Sequence, residues 1–184
     1  MSDALECLYE GRFLRLVKRG AWEYVERVNV TGVAVLVPVT SEAEIVLVEQ
    51  YRIPVRAPMV ELPAGLVGDE EGFRGEEILD AANRELEEET GYRARRLQVL
   101  TTAPSSGGMT SEVVTFVLAS DLSKVGPGGG VEGEDIVVHV VPLSDLQDWL
   151  RSKEAQGCLI DPKIYAGLHL LNSPDIADGQ GRPA

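Results

Sequence analysis

The sequence predicts an α/β fold, a sandwich built on a mixed sheet with helices packed against it. Three observations lead there. The first half is a succession of short β-forming runs. A Glu-rich segment at residues 76–90 switches to helical periodicity, and the chain closes with strand-like and helical segments in alternation.

Trp22-Glu23-Tyr24-Val25-Glu26-Arg27-Val28 alternates and is rich in β-formers, so it reads as a strand. The continuous apolar run Gly32–Val39 is what a strand covered on both faces requires. Residues 44–52 form a further strand after a polar turn, and Met59–Leu62 a short one ended by Pro63-Ala64-Gly65. In residues 76–90, Ile78, Leu79, Ala82 and Leu86 make one apolar stripe, and Gly91 stands where a helix-terminating glycine belongs. Strands are predicted at 96–101, 112–118 and 136–141. The stretch Gly126-Pro127-Gly128-Gly129-Gly130 reads as a mobile loop. Ser144 to Gln147 matches a capping box opening one helix, and Asp161-Pro162 an N-cap with Pro at N1 opening another over 163–171. His139 lies within an apolar strand and reads as a structural histidine.

The chain has 184 residues and a net charge of -13. Length and the 44% hydrophobic content suit one well-buried core, with no low-complexity linker dividing it. No apolar run approaches the ~20 residues of a membrane span, and the acidic N-terminus does not read as a secretory signal. Two cysteines far apart, Cys7 and Cys158, suit a reducing cytoplasm. A protein that grips a nucleic-acid backbone needs a basic stripe, which this chain lacks. An acidic protein binds a small phosphorylated ligand when divalent cations sit between them.

The chemistry concentrates at Glu85, Glu88 and Glu89. At spacing i, i+3 and i+4 they share one helix face and repel one another. A hard divalent cation removes that repulsion and gains oxygen ligands. The carbonyl of Ala64, in the turn before the helix, is a further candidate ligand.

The segment Glu76, seven residues, Arg84-Glu85-Leu86-Glu87-Glu88-Glu89-Thr90-Gly91-Tyr92 resembles the signature box of the Nudix hydrolase family. One departure stands out. Ten residues separate Gly65 from Glu76 where the family has five, so residues 68–75 look like an insertion. Glu49-Gln50-Tyr51-Arg52, Val60–Gly65, Ser105–Glu112 and Glu132–Ile136 extend the resemblance towards the ADP-ribose pyrophosphatase branch.

That resemblance implies a Nudix-type α/β/α sandwich with a mixed β-sheet, plus an N-terminal β-rich segment. Residues 1–30 would serve dimerisation, 31–172 would form the hydrolase domain, and 173–184 a polar tail. It implies hydrolysis of the pyrophosphate bond of ADP-ribose or a related nucleoside diphosphate sugar. GDP-mannose hydrolysis and ADP-ribose sensing without turnover are the alternatives. Ala64, Glu85, Glu88 and Glu89 would hold Mg²⁺ or Mn²⁺, with Glu88 also in the catalytic set. Arg52, Glu61 and Glu112 would contact the substrate, and Trp22 falls where relatives place an aromatic against adenine. Glu134, with Glu132 as the near alternative, would be the general base, carried on the Gly-rich segment like a catalytic lid. The implied partner is a second copy of the chain, with no nucleic acid and no membrane.

Overall fold

The structure, a computed structural model, describes residues 4–68, 75–131 and 133–173. Its strands, in chain order, are β1 (Leu5–Glu10), β2 (Leu14–Arg19), β3 (Trp22–Arg27), β4 (Gly32–Pro38), β5 (Glu44–Arg52), β6 (Ala57–Glu61) and β7 (Ala64–Val67). Helix α1 (Ile78–Thr90), β8 (Tyr92–Pro104), β9 (Val113–Lys124), β10 (Val137–Pro142), α2 (Leu146–Ala155), β11 (Leu159–Ile160) and α3 (Pro162–Leu171) follow.

Strand β4 organises the core, because both of its faces are apolar. Val33, Val35 and Val37 enter one cluster with Ile45, Leu47, Val60, Phe116, Leu150 and Ile164. The alternate residues Ala34 and Leu36 enter a second cluster with Ala82 and Leu86 of α1. The period-two alternation of a strand therefore serves two layers at once. Full burial of Leu86 stabilises the α1 contact by about 1.5–3 kcal/mol. Strands β7, β4, β9 and β8 form one sheet, in which β4 and β9 run parallel. Strands β10, β5, β6 and β11 form a second, in which β11 lies parallel to β6. The mixed sheet foreseen in the sequence is thus two mixed four-stranded sheets.

Strands β1, β2 and β3 make a separate antiparallel sheet. It docks on the loop between β8 and β9, where the Val25 N–H donates to Met109 O at 2.9 Å and the Ser111 N–H to Val25 O at 3.2 Å. Tyr9, Phe13 and Trp22 of this region are exposed.

Three expectations need correction. Pro63-Ala64-Gly65 does not form a turn leading out of the sheet: Ala64 and Gly65 open β7, paired with Val35 and Ala34. The capping box at Ser144 does not form. Asp145 precedes α2 with helical rather than extended dihedrals, and the Ser144 hydroxyl donates to Asp145 Oδ1 at 2.8 Å. The third is the mobile loop expected at 126–130, which is instead bonded to the end of α1. By contrast, Asp161 caps α3 as expected, accepting from the Lys163 N–H at 2.8 Å. His139 is bonded to Glu49 at 2.8 Å, with Trp149 edge-on at 5.0 Å. The insertion proposed for residues 68–75 lies largely outside the described residues.

Candidate active site

Helix α1 presents its carboxylates because Leu86 and Ala82 bury the opposite stripe. Arg84 is their hub. Its guanidinium donates to Glu85 Oε1 at 2.8 Å and to Glu88 Oε2 at 3.2 Å, and it pairs with Glu76 at 3.2 Å. Burial opposes the Arg84 charge, but Glu76 and Glu85 outweigh it and raise the pKa. Glu76 therefore keeps its register with Arg84 despite the longer connection before it.

Glu89 reaches deepest, at 7% exposure, and accepts a hydrogen bond from the Ala64 N–H at 3.0 Å. Burial pushes its carboxyl up to about 8, opposed by the Ala64 bond and reinforced by the charges of Glu85 and Glu134. Glu85 lies directly over the backbone of Gly65.

The C-terminus of α1 is sealed by the Gly-rich segment. The last four carbonyls of a helix lack intrahelical partners. Here Glu87 O accepts from the Gly91 N–H at 2.8 Å, Glu88 O from Gly130 at 3.0 Å and Glu89 O from Gly129 at 2.8 Å. Thr90 O accepts from Lys124 Nζ at 2.8 Å. Residues 126–130, expected to be a mobile loop, are fastened to the helix. Glycine is needed for this close approach: a Cβ on Gly128 would lie 2.4 Å from Thr90 C, and its φ is +71°. Glu134, four residues beyond Gly130, accepts from the Val131 N–H at 3.1 Å and borders the same cavity as the α1 carboxylates.

That cavity, of about 490 Å³, is closed on its other sides by ion pairs. Arg52 bonds Glu61 at 2.6 Å, and Arg27 bonds Glu112. Burial works against the Glu112 charge, but the Arg27 guanidinium holds the carboxyl below its usual range. Of the residues named from sequence, Arg52, Glu61, Ala64, Glu85, Glu88, Glu89, Glu112 and Glu134 line this one space. Trp22 does not line it and is 65% exposed on β3. Glu132 lies outside the described residues. Two charged lining residues were not singled out from the sequence, Arg27 and Lys163. Arg27 carries no local signal, since only docking of the N-terminal sheet brings it to the cavity. Lys163 was visible only as the second residue of a helix.

Among the described residues, no group of three or more His, Cys, Asp or Glu side chains is arranged as a ready-made metal cage. The reason is local: Arg84 holds Glu85 and Glu88, and the Ala64 N–H holds Glu89. The donor set nevertheless suits a hard divalent cation. It is all oxygen, three carboxylates with the Ala64 carbonyl, and Glu89 is destabilised as an anion by burial and by Glu85 and Glu134, which a bound cation would relieve.

Helix, box and cavity together define a class of protein. The chain belongs to the NUDIX domain family, whose pattern matches residues 30–161. It is 36% identical over 156 residues to the ADP-ribose pyrophosphatase of Bacillus subtilis (strain 168), a match covering 84% of this chain and 80% of that protein. It is 33% identical over 145 residues to the methanol dehydrogenase activator of Bacillus methanolicus, covering 76% and 75%. A crystal structure described as an ADP compounds hydrolase shares the fold, with a TM-score of 0.72 at 21% identity, covering 96% of this chain and 94% of that one.

Proposed function

We propose that this Nudix hydrolase cleaves the diphosphate link of ADP-ribose, releasing AMP and ribose 5-phosphate. The observation that carries the proposal is the meeting of the α1 carboxylates, Glu134 and Arg52 in one cavity of about 490 Å³. The kinship with an ADP-ribose pyrophosphatase over most of both chains supports the choice of substrate.

Ala64 through its carbonyl, Glu85, Glu88 and Glu89 would hold Mg²⁺, with Mn²⁺ as the alternative ion. The bound ion would neutralise the diphosphate and acidify the attacking water. Glu134 would accept a proton from the attacking water, with Glu132 as the alternative base. The Gly129 and Gly130 bonds to α1 hold the Glu134 segment in register with the metal carboxylates. Arg52 and Glu112 hold the substrate, with Glu61 orienting Arg52.

The same reading includes a homodimer formed through the N-terminal sheet, whose exposed Tyr9, Phe13 and Trp22 suit an interface. Trp22 would then meet the nucleobase of the neighbouring subunit. A cytoplasmic setting fits the two free cysteines. Among the described residues no helix is long and apolar enough to cross a membrane.

The test is product analysis with Mg²⁺ and a panel including ADP-ribose, ADP-glucose and GDP-mannose. Release of AMP and ribose 5-phosphate, with ADP-ribose the best substrate by kcat/KM, is expected. A preference for GDP-mannose would move the substrate, and ADP-ribose binding without turnover would make the chain a sensor. Sedimentation at varied concentration tests the dimer.

A further inference from the structure

Among the described residues the cavity holds four cationic side chains, Arg27, Arg52, Arg84 and Lys163. Each arginine is paired with at least one carboxylate that itself lines the cavity: Arg27 with Glu112, Arg52 with Glu61, and Arg84 with Glu85 and Glu88. Lys163 differs. Its ammonium is bonded to Asp161, which lies outside the lining and is only 1% exposed.

The anchoring of Asp161 is thorough. It accepts from the Lys163 backbone N–H at 2.8 Å as the cap of α3, and its own N–H donates to Val60 O at 3.0 Å. The carboxylate beneath Lys163 is therefore tied to β6, one residue from Glu61 of the cavity wall. An ammonium has three donors and Asp161 takes one. Lys163 lines the cavity with a side chain that is 34% exposed, so its ammonium is accessible to a ligand there. Among the described residues six carboxylates line that space, and an incoming diphosphate brings more negative charge. Asp161 offsets part of the Lys163 charge, yet the ammonium still acts across the cavity, where it helps the Arg27 guanidinium hold the Glu112 carboxyl low.

We infer that Lys163 binds a phosphoryl oxygen of the diphosphate substrate from the α3 wall of the cavity, with Asp161 as its positioning residue. The inference rests on the diphosphate reading of the site. Hydrolysis adds the water oxygen to one phosphorus and breaks its bond to the bridging oxygen. The two protons of that water pass largely to solvent at neutral pH, because the second pKa of a phosphomonoester is about 6, so the two products carry more negative charge than the parent. An ammonium at this wall aids binding of the substrate and retention of that charge alike.

The experiment compares wild type, Lys163→Met and Lys163→Arg by calorimetric titration with ADP in Mg²⁺, with adenosine as the phosphate-free control. Lys163→Met is expected to weaken ADP about tenfold. It should leave adenosine binding unchanged while lowering the melting temperature, because the buried Asp161 loses its partner, and Lys163→Arg should restore most of both losses. In turnover, the KM of Lys163→Met should rise more than its kcat falls. ADP affinity within twofold of wild type in Lys163→Met, or no ADP binding by wild type, would overturn the inference. A wild type that binds ADP but hydrolyses no compound of the panel would sink the hydrolase reading alone, with Lys163 still judged by the ADP titration.

Discussion

The carboxyl group of Glu85 occupies the space where residue 65 would carry a side chain: a Cβ on Gly65 would lie 1.8 Å from Glu85 Cδ. Strand β7 and helix α1 touch at this point, and the contact is possible only because residue 65 is glycine.

Gly65→Ala is therefore expected to damage activity far more than stability. The clashing atoms are the far end of a flexible side chain, which swings aside cheaply. Tm should fall by only a few degrees, equivalent to about 1 kcal/mol. The displaced Glu85 should lower kcat/KM about a hundredfold or more. Thermal melting and steady-state kinetics on one preparation check both halves, and unchanged kinetics would remove Glu85 from the metal site.

Gly128→Ala should do the reverse. Its added Cβ meets backbone atoms of Thr90 and Gly91, which cannot swing away, and its φ is +71°. A loss of about 2 kcal/mol or more in denaturant unfolding is expected. Loss of the carbonyl seal on α1 should also disturb Glu134 and lower kcat.

Glu85→Gln and Glu89→Gln should lose most activity while keeping the fold, as judged by circular dichroism. Glu134→Gln should lower kcat more than it raises KM, removing the limb of the pH–rate profile that belongs to the base. If Glu134→Gln turned over normally and Glu132→Gln were dead, the base would be Glu132.

The pH dependence of metal-free stability follows from Glu89. An unfolded glutamate titrates near ~4.3, whereas burial pushes Glu89 up to about 8 in the fold. The folded chain then binds a proton more tightly than the unfolded one. The stability this contributes is full below ~4.3 and is lost as pH rises through about 8. In chelator, Tm should fall between pH ~6 and pH ~8.5, and saturating Mg²⁺ should flatten the decline. A Tm that rises over that interval in chelator would contradict the burial of Glu89.

Glu49 gives the opposite sign away from the site. Burial would raise its pKa, but hydrogen bonds from Lys153 at 2.7 Å and His139 at 2.8 Å hold it below the ordinary value. Its contribution is present above ~4.3 and is lost as pH falls through the lowered folded value. Glu49→Gln strands the half-buried Lys153 and should destabilise by about 2 kcal/mol in urea unfolding at neutral pH.

Local pattern was enough for much of this. The alternating apolar faces of β4, the stripe of α1, the Gly91 terminus and the Asp161 cap are each set by neighbours within a few residues. So is the carboxylate spacing of Glu85, Glu88 and Glu89, because one helical turn determines it. Helix starts were less legible: Glu76 is drawn to Arg84 and α1 begins only at Ile78. The tertiary structure alone decided that residues 126–130 cap α1 rather than hang free, because the groups they satisfy lie some forty residues earlier in the chain. It alone brought Arg27 and Lys163 to the cavity, from a separate sheet and from the last helix. A sequence displays the charges a segment carries. Which charges meet in one low-dielectric space depends on long-range pairing of backbone and core, and that is where the chemistry of this site is set.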